Sequence, residues 1–308
     1  MAILRYCEDI ARSKDMKKSV IAVVLMVTLG SSIFFVGCSS DLVKSTQGVS
    51  EKQVNILNEY VEVVNWFNDR TLTFSYAIDP NLADMKAGNL IDHISLPEYF
   101  VLQKGLKQAV EAGETSFKDV NKSAKEVLSI LDEMVPLTEK MKEYYDSKQF
   151  TTDNNAQGAI LVKQYLELYA KFEVAYNKLD NATQKATYEI VVAKIKAAKD
   201  AGHVQEATLR SMYLVSGEIT KLLEAEKIDA DAINAKVQEL QQLNEFLNPK
   251  GDEQVINEVK SFKERVNRFI GQTREYTSGN DTDMKRLIDT YNDMIEQMNA
   301  VDPMKLDK

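Results

Sequence analysis

From Val54 to Met298 of this 308-residue chain, outside residues 78–115, apolar residues return every three or four positions. Val54, Leu57, Val61, Val64, Phe67, Thr71 and Phe74 make the first stripe, the repeat of one face of an α-helix. Ser50-Glu51-Lys52-Gln53 ahead of it reads as a capping box, serine accepting from an early N–H and glutamine reaching back. Ser116 with Asp119 opens a second stripe, Val120, Val127, Leu131, Met134, Met141 and Tyr145, predicted to kink at Pro136. Thr151-Thr152-Asp153 caps a third, Leu161, Tyr165, Leu168, Phe172, Ala175, Leu179, Ala182, Ala186 and Ala193. Later stripes run through Met212, Val215, Ile219 and Leu222, then Ile233, Val237, Leu240 and Leu247. Val255, Val259, Phe262, Val266 and Phe269 follow, and last come Leu287, Tyr291, Met294 and Met298. Breaks fall at Asp229, at Asn248-Pro249-Lys250-Gly251 and at Ser278-Gly279-Asn280-Asp281, all turn or cap chemistry.

Nothing after residue 50 alternates with a period of two and β-branched enrichment. The predicted fold is therefore all-α, an elongated antiparallel bundle of about six to eight helices over residues 50–308. The periodicity lapses over 78–115, where Pro80, Gly88, Pro97, Gly105 and Gly113 collect. This predicts an irregular segment with one short helix near Glu98 to Ala112, read as a cap over a bundle end; long connections of this kind are also often functional.

Ahead of the helices, Met16-Lys17-Lys18 is followed by a sixteen-residue apolar run from Val20 to Phe35, then Phe35-Val36-Gly37-Cys38. Charged, apolar and small in that order is the layout of a secretory signal, and the tetrapeptide resembles the lipobox of bacterial lipoproteins. That resemblance implies cleavage between Gly37 and Cys38 and lipid on Cys38. The run is shorter than the roughly 20 residues of a membrane-spanning helix. Residues 1–37 are thus expected to be a signal peptide with its true start at Met16, since Met1 to Asp15 are too acidic and polar for a signal's first segment. Residues 38–49 are polar and aperiodic and read as a lipidated flexible tether.

Composition narrows the partners. Removing residues 1–37 takes five basic and three acidic side chains from 38 and 47, leaving 33 against 44, a balance of minus 11. So acidic a body disfavours phosphate backbones and argues against nucleic acid. Cys38 is the last cysteine, so neither a disulfide frame nor a thiolate metal site follows it.

Chemistry-bearing patterns are sparse. The two histidines, His93 and His203, stand in no nucleophile arrangement, and no phosphate loop, Gly-x-Ser-x-Gly or His-Glu-x-x-His occurs in the mature part. His203 and Glu206 share a helix face and are weak candidates for a metal, short of the three or four ligands one needs. Glu224, Glu226, Asp229 and Asp231 cluster without the order of a calcium loop. Tyr144, Tyr145, Phe150, Tyr165, Tyr169, Phe172 and Tyr176 flank the central turn. Of these, Tyr144, Tyr145, Tyr165, Tyr169 and Phe172 are the candidate lining of a ligand groove, against the plainer reading of core packing.

Three stretches carry a family resemblance: Tyr60-Val61-Glu62-Val63-Val64-Asn65; Tyr144-Tyr145-Asp146-Ser147-Lys148-Gln149-Phe150 with Asp153 and Gly158; and Tyr291-Asn292-Asp293-Met294-Ile295. They resemble the YiiG-like bacterial lipoproteins, built around a helical domain of unknown function. The resemblance implies a lipobox, an all-helical domain and residence in the cell envelope; it hands over no catalytic residues, and no cofactor is expected.

The expectation is thus a membrane-anchored envelope lipoprotein, a non-enzymatic binding or structural module with an envelope protein or polymer as partner. The alternative is a ligand or metal carrier using the aromatic groove or the His203/Glu206 pair, and a hydrolase built from distant carboxylates stays open. Ser39 after the lipid site favours the outer membrane, facing the periplasm, in a two-membrane host; in a single-membrane host the same signal means the outer face of the plasma membrane.

Overall fold

The computed structural model describes residues 50–225, 227–250, 252–279 and 284–308. The signal, Cys38 and nearly all of the tether lie outside these residues. The described chain is an all-α helical bundle: α1 (Glu51–Ala87), α2 (Tyr99–Ala112), α3 (Lys118–Asp146), α4 (Ala156–Asp200), α5 (Val204–Glu224), α6 (Ala230–Phe246), α7 (Glu253–Thr277) and α8 (Met284–Ala300), with 3₁₀ turns at Gln149–Thr151 and Pro303–Lys305. It divides into two compact units, Lys52–Ala186 and Thr187–Lys308, with the division inside α4.

In the first unit α1 buries Leu57, Val61, Val64 and Phe67, as its stripe predicts. It does not stop near Ile78. The helix runs through Pro80 to Ala87, so the irregular segment expected over 78–115 shrinks to the links at 88–98 and 113–117 around α2. What ends α1 is Gly88, in a left-handed conformation at φ 73° that a side chain would resist. Gly88 N–H donates to Met85 O and Asn89 N–H to Asp84 O, closing the last turn as a Schellman motif. Pro80 thus lies inside the helix and does not end it. α2 presses close to α1 because Gly105 lacks a Cβ, which would stand 2.7 Å from the Val63 side chain.

The Gln53 amide donates to Glu114 O. One local expectation differs. The start of α3 has no side-chain cap from its N-cap residue, Phe117. Instead Asn121 grips Thr115, accepting from Thr115 N–H at 2.9 Å and donating to Thr115 O at 2.8 Å, a two-point clamp on the preceding turn. Across Pro136, α3 continues as one helix to Asp146.

In the second unit α5 to α8 pack in sequence order, with Met212, Ile219, Ile233, Val237, Val259, Phe262, Phe269, Tyr291 and Met294 in the core. Each buried large apolar side chain contributes about 1.5–3 kcal/mol of transfer free energy. Asp229 works as the predicted cap, accepting from Ala232 N–H, and Asp252, just past the predicted break at 248–251, accepts from Gln254 N–H. Asp307, near the C-terminus, accepts from the N–H groups of Gln205 and Glu206 and so caps α5 from a distant part of the chain.

Candidate functional site

The central hairpin sets the candidate site in the first unit. Between α3 and α4 the chain takes positive φ at Lys148, Asn154 and Asn155, a conformation that asparagine tolerates better than most residues. Asp153 stabilises this turn with both oxygens, accepting from the Tyr144 hydroxyl at 2.7 Å and from Gln157 N–H at 3.0 Å. The Tyr144 hydrogen bond, with backbone donors at Gln157 and Asn155, holds the Asp153 carboxyl below its usual range. Burial, together with that carboxylate, pushes the Tyr144 phenol up.

Tyr145 packs edge-on against Tyr144, ring centres 5.1 Å apart, and against Phe150 at 6.0 Å. Its hydroxyl is buried and makes no hydrogen bond, and the same is true of the Asn155 side-chain oxygen. Both atoms crowd one point beside α4. A Cβ on Gly158 would stand 2.9 Å from the Tyr145 hydroxyl and collide with Asn155 Oδ1, so glycine is required there. Burial pushes the Tyr145 phenol up to about 12.

Beside this point runs a groove of about 540 Å³, lined by Tyr145 and Asn155, by Met85 and Ile91 at and beyond the end of α1, and by Ala159, Val162, Lys163, Leu166 and Glu167 of α4. Its walls are mostly apolar, with few polar groups, the composition typical of small-molecule sites.

Of the five aromatic residues proposed as a groove lining, Tyr145 borders this groove. Tyr165 is in the core, its hydroxyl 3.0 Å from that of Tyr99. Phe172 is packed among Phe67, Tyr99 and Tyr176. Tyr169 lies beside Tyr165 and carries the Lys86 ammonium over its ring at 5.6 Å. Tyr144 is held by Asp153. Core packing, the plainer reading, accounts for Tyr165 and Phe172. Sequence reasoning missed Met85, Ile91, Asn155, Ala159 and Val162. The available signal was the Asn154-Asn155 pair ahead of Gly158-Ala159, which marks a left-handed turn feeding a smooth helix face.

The His203/Glu206 pair belongs to the second unit and is occupied otherwise. Glu206 is fully buried, and its Oε1 accepts from Arg210 Nε at 2.9 Å and Nη2 at 2.7 Å. His203 Nδ1 stands 3.5 Å from the other oxygen. A cation at Glu206 would meet the guanidinium at close range, so the pair serves packing here. Among the described residues no three or more His, Cys, Asp or Glu side chains are placed to hold a metal ion. His93 is exposed and pairs with its neighbour Asp92 at 2.8 Å. Asp229 of the acidic cluster is the α6 cap.

A family model described as a protein of unknown function, DUF3829, matches residues 51–300. The chain belongs to the DUF3829 family. The DUF3829 match takes in both units and the whole Tyr144–Gly158 hairpin, and ends before Asp307. No curated protein and no solved structure matches the chain.

Proposed function

We propose that this member of the DUF3829 family is a bacterial envelope lipoprotein, held by lipid on Cys38, that works by non-covalent binding. The observation that carries the address is the order Lys17-Lys18, apolar run, Gly37-Cys38, with a polar tether before α1. It agrees with the resemblance to YiiG-like lipoproteins. Among the described residues no helix is long and apolar enough to cross a membrane. Each buried methylene of an acyl chain adds about 0.8 kcal/mol, and two or more chains make attachment stable. By this reading the body stands on the outer membrane facing the periplasm in a two-membrane host, or on the outer face of the plasma membrane otherwise.

Non-covalent binding is supported by the groove's walls. They are mostly apolar, with Met85, Ile91, Val162 and Leu166 among them and exposed Lys163 and Glu167 beside these. The reading places the ligand, whether a free molecule or part of an envelope protein or polymer, against the first unit.

Intact mass and membrane fractionation of the wild type and Cys38→Ala, expressed in a bacterium, test the address. The expected wild type starts at Cys38, carries acyl mass and sediments with membranes, while the variant stays unprocessed. A soluble or uncleaved wild type contradicts the proposal.

A further inference from the structure

The outward face of α4 is complementary to itself when reversed. Ala156, Ile160, Lys163, Glu167, Ala170 and Val174 recur at steps of four and three, and all six are exposed. On a helix these steps keep them within about 80° of the circumference over a length of about 27 Å. The stripe lies opposite the buried Tyr165 and Phe172. Ile160 and Val174 leave 52% and 57% of their surface open, and single exposed apolar residues of this kind are ordinary. Their register with the two charges is what sets them apart.

Lys163 and Glu167 stand one turn apart, lysine first, the weaker order for an ion pair within one helix. Among the described residues neither makes an ion pair. A second copy of α4 laid antiparallel across this face, with the two-fold axis level with residue 165, meets both charges at once. Lys163 of each copy then faces Glu167 of the other. The same register sets Ile160 against Ala170 and Val174 against Ala156, each larger side chain opposite a small one, as knobs fit holes. Lys171 and Glu173, the next charges on α4, come level with Ala159 and Gln157 of the other copy, so like charges do not meet. A parallel copy would instead set Lys163 on Lys163 and Glu167 on Glu167. A two-fold contact requires this self-complementarity, because each residue must fit its counterpart in both directions. The groove lies along one flank of the face, beside Val162 and Leu166, and a two-fold axis sets like flanks together, so the two grooves adjoin.

We infer that the exposed face of α4 from Ala156 to Val174 is the contact through which two copies of this chain pair antiparallel, with two reciprocal Lys163–Glu167 ion pairs at its centre.

Sedimentation equilibrium of the full chain, purified from a bacterium in detergent micelles, tests the pairing. The wild type is expected to form dimers. Lys163→Glu and Glu167→Lys each set like charges opposite one another and are expected to raise the dimer Kd about tenfold or more. Both reversals in one chain restore the two ion pairs and are expected to return the Kd to the wild-type range. An equimolar mixture of the two single variants is likewise expected to dimerise, each supplying the charges that the other lacks. Ile160→Glu, which puts a charge against Ala170, is expected to weaken the dimer as strongly. All three positions are exposed, so helical circular dichroism should be unchanged in every variant. A monomeric wild type overturns the inference, as does a dimer that the single reversals leave unchanged or that the double reversal fails to restore.

Discussion

Residues 52–186 bury a chain of hydroxyls and amides around one carboxylate: Tyr176 lies 2.6 Å from Asn68 Oδ1, Asn68 donates to Asp180, and Gln184 donates to the other Asp180 oxygen. Residues 187–308 instead bury a full ion pair, Glu206 with Arg210. In the first unit several modest hydrogen bonds share the work, so losing one leaves the rest. In the second the charges depend on one another, because either alone in a dry interior costs several kcal/mol. Within the first unit the Tyr145 hydroxyl and the Asn155 side-chain oxygen are buried without a hydrogen bond, in contrast to the Tyr176–Asn68–Asp180 chain.

Breaking the ion pair should have the largest effect. Arg210→Met leaves Glu206 buried without its partner and is expected to cost about 3–5 kcal/mol. Hydrogen exchange across α5 and α6 checks this. Adding Glu206→Leu should recover most of the loss, since an apolar pair removes both desolvation costs. Failure to recover would mean that the pair contributes more than mutual neutralisation.

Alkali sharpens the contrast within the first unit. An unperturbed tyrosine ionises near 10, whereas burial holds the Tyr145 proton up to about 12. The folded form binds the proton more tightly, so this stability is complete below pH 10 and falls as pH rises from 10 towards 12. Urea midpoints between pH 8 and pH 12 should decline less steeply for Tyr145→Phe than for wild type. Parallel declines would show that the hydroxyl is not buried in solution.

The helical architecture was legible because burial along a helix repeats every three or four residues, and Leu57, Val61, Val64 and Phe67 lie where that repeat puts them. Asp153, Asp229 and Asp252 cap or brace the helix starts that follow them, since capping chemistry is local. The run of α1 past Pro80 was not legible, because the reading weighed proline and glycine as breakers without knowing what packs against the helix. The groove was legible only at Tyr145. Aromatic spacing says that a residue is buried, but whether Tyr165 ends against Tyr99 or in a cavity depends on a helix 66 residues away. Met85 and Ile91 enter the groove wall through the chain turn at Gly88, which no periodicity encodes.

The most direct measurement is the unfolding free energy of Tyr99→Phe and Tyr145→Phe side by side in urea at pH 7. Both substitutions delete one buried hydroxyl from the same unit, but only the Tyr99 hydroxyl has a partner, 3.0 Å away on Tyr165. The account predicts a loss of about 1 kcal/mol for Tyr99→Phe and no loss, or a gain of a few tenths, for Tyr145→Phe. Equal losses would mean that the Tyr145 hydroxyl is already paired within the fold, which contradicts the contrast between the two hydroxyls.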